Sequence, residues 1–132
     1  MKLRKPALDL GIVTANAEAM LRFYAETLGL PTAGEVPIAG VGTLRKLQCG
    51  DSQIKLLLLA QPPAGQCSRG GYAAATGYRY CTLTIEDLDD VVARCRAAGC
   101  TIAVDIVSPR PGLRAAMIED PDGNTVELME LT

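Results

Sequence analysis

Residues 119–130 read EDPDGNTVELME, a strong turn signal followed directly by a strand. The turn, residues 120–124, combines Pro, Gly, Asp and Asn. These residues favour turns because they fix φ, tolerate positive φ or hydrogen-bond to their own backbone. Residues 125–131 are rich in apolar and β-branched side chains, which predicts a closing strand. This turn and strand end a pattern that can be followed backwards along the chain.

A helix is predicted upstream of this turn. Glu86 or Asp87 is a suitable N-cap, and Gly99 stands where a helix C′ residue belongs. Strands are predicted before the helix at 78–85 and after it at 101–106 and 113–118. The apolar stripe of the helix consists of Leu88, Val91, Val92, Cys95 and Ala98.

The first half of the chain predicts the same order of elements. Asn16 is a plausible N-cap, and Gly29 follows the predicted helix. The residues Gly50-Asp51-Ser52 suit a hairpin turn between the last two strands. Strands are predicted at 8–13, 32–36, 42–49 and 53–59. The apolar positions of the helix at 17–28 are Ala17, Met20, Leu21, Tyr24 and Leu28.

The two halves indicate an internal duplication. Their landmarks are offset by about 70 residues, as in Gly29 and Gly99, and neither half easily buries its own sheet. We therefore predict an α+β domain over 1–132, with module one at 6–60, a linker at 61–77 and module two at 78–131. Each module is β-α-β-β-β. A ferredoxin-like fold is the alternative, but it lacks the extra strands after each helix.

The composition excludes several classes of protein. Apolar residues make up 48% of the 132 residues, enough for a real core, and the net charge of −2 argues against nucleic-acid binding. No apolar run approaches the roughly 20 residues that span a bilayer, and no signal-peptide core follows the basic N-terminus. We expect a cytoplasmic protein with neither nucleic-acid nor membrane partners.

Histidine is absent and cysteine is scattered. Without histidine the chain has no imidazole metal ligand and no His-based catalytic triad. The five cysteines form no CxxC pair, so neither a disulfide framework nor a zinc knuckle is expected. They are interpreted as small apolar thiols.

Several segments together resemble the glyoxalase/bleomycin-resistance/extradiol-dioxygenase superfamily, also called vicinal oxygen chelate. The most specific are FYAETLGLP at 23–31 and EDPDGNTVELME at 119–130. The resemblance implies that each module curls its sheet into a half-barrel around a cleft. It also implies metal ligands, His or Glu, on the first and last strand of each module. Further similar segments are LDLGIV at 8–13, GDSQIKL at 50–56 and GYRYCTLTI at 77–85.

The four ligand positions implied by the resemblance are mostly changed. Asp9 and Tyr80 stand where the family often has His, and Lys55 stands where it often has Glu. Glu127 alone is retained. An ammonium group repels a divalent cation, so we expect no metal and no other cofactor.

Three readings of these positions stay open. Asp9, Lys55, Tyr80 and Glu127 form a stabilising ion-pair network, or a polar floor for a ligand. In the third they are catalytic, with Glu127 or Asp9 as base and Lys55 stabilising an enolate.

Further candidates for ligand binding are Arg45, Arg114 and Tyr72. If the two arginines face the cleft, they suit a carboxylate or phosphate. Most strand arginines are solvated, however, and the alternative for the linker around Tyr72 is a flexible crossover. Segment 108–112 is expected to be a loop.

Three functions compete. The first is binding of a small anionic or carbonyl-bearing molecule in a metal-free cleft. The second is a lyase or isomerase resembling lactoylglutathione lyase, and the third is a structural dimerisation domain. The resemblance also implies a homodimer, in which the modules pair within one chain or swap between chains.

Overall fold

The computed structural model describes all residues, 1–132, and divides the chain into two compact units, residues 1–65 and 66–132. Each unit contains one four-stranded mixed sheet and one helical segment. In both, the helix is followed by three strands, as predicted, which excludes the ferredoxin-like alternative. None of the helices is long and apolar enough to cross a bilayer.

The first unit has the strand order β1-β4-β3-β2. β1 is parallel to β4, and the other neighbours are antiparallel. A parallel neighbour requires a crossover connection, which the helix provides. The elements are β1 (Leu10–Thr14), α1 (Ala17–Leu21), a π-helical continuation (Arg22–Thr27), β2 (Thr32–Ile38), β3 (Gly42–Cys49) and β4 (Ser52–Leu59).

The predicted helix at 17–28 exists, but its second half is wider than an α-helix. The Met20 amide donates to the Asn16 carbonyl at 3.0 Å, whereas the Leu28 amide reaches back five residues to Phe23 at 2.9 Å. The wider turn brings Phe23 into the core beside Tyr24, with ring centroids 4.8 Å apart. The predicted apolar stripe omitted Phe23, and it was wrong in this respect because Phe23 is buried.

The second unit repeats the arrangement with the strand order β5-β8-β7-β6. β6 extends to Arg110, so the predicted loop at 108–112 is wrong except for the turn at Pro111 and Gly112. Pairing with β7 keeps these residues extended. The elements are β5 (Tyr80–Thr84), α2 (Leu88–Ala97), β6 (Thr101–Arg110), β7 (Leu113–Glu119) and β8 (Thr125–Leu131).

Each sheet has one face covered by its helix and one uncovered face. Side chains alternate along a strand, so residues paired in register share a face. The covered face carries the cores of the two units. In the first unit it holds Ile12, Leu47, Ile54 and Leu56, and in the second Ala116, Ile118, Val126 and Leu128.

The linker at 61–77 forms neither helix nor strand, as predicted, but its second part is held against the second unit. The Arg79 guanidinium donates to the carbonyls of Ser68 at 2.8 Å and Gly71 at 2.7 Å. The Arg69 guanidinium donates to the Pro121 carbonyl at 2.8 Å. These bonds fix the path of residues 68–71. A freely flexible crossover would lack such bonds.

Burial of Cys95 makes the second unit sensitive to alkali. Burial raises the pKa of this thiol to about 11, whereas an unfolded thiol titrates near 8.5. Between these values the unfolded state loses its proton first, so stability is complete below about pH 8.5 and falls as pH rises to about 11. We expect a loss on the order of 2 kcal/mol from this group.

Guanidinium denaturation between pH 7 and 10.5 checks this expectation. Cys95→Ala should flatten the alkaline decline, while Cys67→Ala, which removes an exposed thiol, should leave it unchanged. An equally steep decline in both variants would assign the effect to other groups.

Candidate functional site

The uncovered face of the first sheet carries two lysines side by side. Lys46 of β3 and Lys55 of β4 are direct cross-strand partners. Both are half-buried. Gly11 pairs with Lys55 on one side, and Gly34 pairs with Lys46 on the other. The row across the four strands is therefore Gly11, Lys55, Lys46 and Gly34.

The glycines leave open space on the sheet face on either side of the two lysines. A Cβ atom added to Gly11 or Gly34 would meet nothing within 4 Å. Like charges directly opposite on a sheet destabilise it. Lys55 has a carboxylate partner, but Lys46 makes no ion pair or side-chain hydrogen bond. This row is thus an open, net positive strip.

Asp9 is the carboxylate that partly neutralises the strip. Its Oδ1 accepts from Lys5 Nζ at 2.7 Å and from the Gln53 amide at 2.9 Å. Its Oδ2 lies 2.9 Å from Lys55 Nζ. The hydrogen bonds from Lys5 and then Lys55 hold the pKa of Asp9 well below its usual range. Because both oxygens are engaged and the pKa is lowered, Asp9 is an anion at neutral pH and a poor proton acceptor.

An aliphatic row lies next to the lysine row on the same face. Val13 pairs with Leu57, Leu57 with Leu44, and Leu44 with Val36. The two ends are open: Val13 is 58% exposed and Val36 is 42% exposed. The face therefore joins a cationic strip to an apolar one.

The equivalent positions of the second unit are acidic and hydroxylic. Thr82 pairs with Glu127 as Gly11 pairs with Lys55. The Thr82 hydroxyl donates to Glu127 Oε2 at 2.5 Å. Tyr80, the counterpart of Asp9, lies one row away on the same face and is 55% exposed.

The structure therefore joins Asp9 and Lys55 in one unit, and places Tyr80 and Glu127 on one face of the other. Asp9 and Lys55 form an ion pair, and the role of this pair stays a prediction. A cluster of all four residues stays a prediction.

Arg45 and Arg114 were ligand-binding candidates on the condition that they face the cleft. Arg45 pairs in register with Leu56, so it lies on the helix-covered face, where it forms an ion pair with Glu35. Arg114 lies on the covered face of the second sheet with Glu130. It contacts Glu130 at 2.9 Å and Asp89 at 2.7 Å, and these carboxylates raise its pKa. The condition is not met for either arginine.

The residues at the ligand positions do not fit a divalent metal ion. No group of three or more His, Cys, Asp or Glu side chains is arranged to hold one. Lys55 forms an ion pair with Asp9. Of the two positions where the family often has Glu, one is the cation Lys55 and the other is the anion Glu127. A divalent cation beside two ammonium groups would be repelled.

Lys46 was missed by reasoning from the sequence alone. A signal for it exists in the hairpin, because a two-residue turn at Gly50 and Asp51 pairs Cys49 with Ser52. Counting outward from that pair places Lys46 opposite Lys55. Tyr72, the remaining candidate, lies in the segment that covers part of the second sheet and lines a cavity there.

The Asp9 cluster makes the first unit acid-sensitive. The lowered pKa of Asp9 stabilises the fold above the unfolded value of about 3.9, and this stabilisation is lost as pH falls through the lower folded pKa. Asp9→Asn should therefore destabilise the protein fully at pH 7, and the deficit should begin to shrink only below about pH 4 and decrease steadily toward about pH 2. Urea denaturation across this range measures the difference. Asp51→Asn, in the exposed hairpin turn, is the control, and an Asp9→Asn deficit independent of pH would contradict the role of the charge.

No curated protein matches the chain in sequence. A glyoxalase family protein from Bacillus cereus is 23% identical, with a TM-score of 0.83 over 99% of this chain and 96% of that chain. A lactoylglutathione lyase from Agrobacterium tumefaciens is 21% identical, with a TM-score of 0.66 over 97% and 96% of the two chains.

A third similar structure is TnmS3, an antibiotic binding protein from a Streptomyces species. It is 24% identical, with a TM-score of 0.64 over 94% of this chain and 93% of that chain. These likenesses show a shared fold. The family model of the Glyoxalase/Bleomycin resistance protein/Dioxygenase superfamily matches residues 8–128. The chain therefore belongs to the glyoxalase/bleomycin resistance protein/dioxygenase superfamily.

Proposed function

We propose that the protein binds a small molecule with an anionic head and a short apolar body on the uncovered face of its first sheet. One observation carries this proposal: the row with Lys46 and Lys55 lies directly beside the aliphatic row with Leu44 and Leu57. The head, a carboxylate or similar group, contacts the ammonium groups. The body lies along the leucines.

The charges of the strip favour an anion. Asp9 is shared between Lys5 and Lys55, so one carboxylate faces two cations and Lys46 has none. Lys46 and Lys55 are direct cross-strand partners, and like charges in such pairs repel each other. An anion between the two ammonium groups would replace this repulsion with attraction. The need for a counter-charge is thus built into the unliganded face.

The aliphatic row supplies the second part of the recognition. Its four side chains form a continuous strip, and burial of apolar area contributes roughly 25 cal/mol per Å². Only Val13 and Val36, at the ends, are largely exposed. A body of a few carbon atoms fits the leucines between them. Aromatic stacking has little part here, since neither row contains an aromatic ring.

Two of the similar structures agree with binding of a small molecule, one being an antibiotic binding protein and the other a lactoylglutathione lyase. The lyase or isomerase alternative lacks a comparable observation. Asp9 is a poor base because its pKa is lowered. The metal-dependent enzymes of the superfamily bind their metal through several donor side chains, and no such group of donors is present here. The catalytic roles of Lys55, Tyr80 and Glu127 stay predictions, as do the homodimer, the dimerisation domain and the cytoplasmic location.

Binding of hexanoate tests the proposal. Isothermal titration at pH 7 should detect hexanoate but not hexanol, which has a similar body and no charge. Lys46→Met should weaken hexanoate binding by about tenfold, equal to 1.4 kcal/mol, and the double variant with Lys55→Met should abolish it. Affinity should fall as salt rises, because the strip is partly exposed.

Lys2→Met is the matched control, because it removes one positive charge from the exposed N-terminus. Urea denaturation of each variant separates loss of binding from loss of the fold. Equal affinity in wild type and the double variant would contradict the proposal. The proposal would also be contradicted if the double variant with Lys55→Met were less stable but bound hexanoate as the wild type does. That result is expected of a purely stabilising ion pair.

A further inference from the structure

A cavity lies on the face of the second sheet that its helix does not cover. It has a volume of about 320 Å³, comparable with small-molecule sites. Its floor comes from β6, β7 and β8, and its rim from the segment 70–73 of the linker. The floor residues are Ala103, Val104, Met117, Glu119 and Thr125.

Thr125 gives this cavity an unsatisfied polar group. The residue is 2% exposed, and its hydroxyl oxygen has no hydrogen-bond partner. A buried hydroxyl without a partner costs about 1–3 kcal/mol, so such groups are rare in folded proteins. Thr125 pairs with Glu119 across the β7–β8 ladder, so both side chains belong to the cavity face. A ligand atom that bonds to this hydroxyl removes the cost.

Glu119 sets the sign of charge in the cavity. It is half-buried and forms no ion pair or hydrogen bond within the chain. No lysine or arginine is among the lining residues, which are otherwise small or apolar. A half-buried carboxylate without a partner favours a cation, because burial makes an unpaired charge costly.

The rim adds an aromatic ring and a fixed backbone. Tyr72 lines the cavity and is 55% exposed, so its ring is free to lie against a bound cation. The Arg79 guanidinium holds the Gly71 carbonyl at 2.7 Å, which positions the rim without placing a positive charge among the lining groups. Thr125 lines the same cavity as the rim residues 70–73.

We infer that this cavity binds a small aliphatic ammonium ion. The ammonium group bonds to the Glu119 carboxylate and to the Thr125 hydroxyl, and the carbon chain lies against Met117 and Val104. This site is independent of the lysine strip. It lies in the other unit, and it selects the opposite charge.

Titration of the full-length ¹⁵N-labelled protein with n-butylamine at pH 7 tests the inference. Amide signals of residues 70–73, Glu119 and Thr125 should shift saturably. n-Butanol and butyrate, with similar carbon chains but no positive charge, should leave them unmoved. This comparison uses the wild type, so it does not depend on the folding of any variant.

Variants then assign the contacts. Glu119→Gln should weaken butylamine binding by about tenfold or more. Thr125→Val should also weaken it, while stabilising the free protein slightly because the unpaired hydroxyl is gone. Glu86→Gln, which removes an exposed carboxylate of the same unit, should change nothing.

Three results would overturn the inference. They are equal butylamine affinity in Glu119→Gln and wild type, equal responses to butylamine and butanol, and shifts that lie outside the cavity. Loss of the lysine strip by Lys46→Met and Lys55→Met should leave butylamine binding intact. The two sites can therefore fail separately.

Discussion

The register of the hairpin between β3 and β4 decides which side chains the first sheet presents. The turn at Gly50 and Asp51 pairs Cys49 with Ser52, with φ of +55° at Gly50, a value that favours glycine. From that pair the ladder places Lys46 opposite Lys55. A slip of one residue would move every β4 side chain to the other face, sending Lys55 into the core and Ile54 out. The buried aliphatic face therefore fixes the lysine row as firmly as it fixes the fold.

This register gives the first unit a chemistry different from that of the second. At equivalent ladder positions the first unit has Gly11 and Lys55, and the second has Thr82 and Glu127. The duplicated framework is thus kept while its uncovered faces differ in charge. Asp9 neutralises Lys55 and leaves Lys46 without a counter-charge. No group of three or more His, Cys, Asp or Glu side chains is arranged to hold a metal ion. The site proposed for an anion and the site proposed for a cation therefore lie on equivalent faces of two units that differ in charge.

Much of the fold could be predicted because it depends on local signals. Alternation, caps and turn residues placed every strand and both helices, and β3 and β8 have the predicted bounds. The π-helical turn could not be predicted, since the choice between bonding four or five residues back depends on how Phe23 and Tyr24 pack. The end of β6 was missed because Pro109 suggests a loop, whereas the ladder with β7 keeps it extended.

The site was harder to predict because faces depend on exact register. Asp9 and Lys55 were found through the resemblance, and they do contact each other. Arg45 and Arg114 were candidates only if they faced the cleft. A shift of one residue in register changes the face of a side chain, and the observed register places both on the helix-covered faces. Lys46 required counting from the hairpin, and the Thr125 cavity required the path of a linker whose sequence has no period.

The central claim, that the lysine row is an anion site with an apolar extension, is tested most directly by locating a ligand. Crystals soaked in 6-bromohexanoate would show the bromine by anomalous diffraction. We predict a carboxylate in contact with Lys46 and Lys55 and a bromine peak over the row that includes Leu57. A bromine at any other place, or an empty lysine row beside the unchanged pair of Asp9 and Lys55, would contradict it.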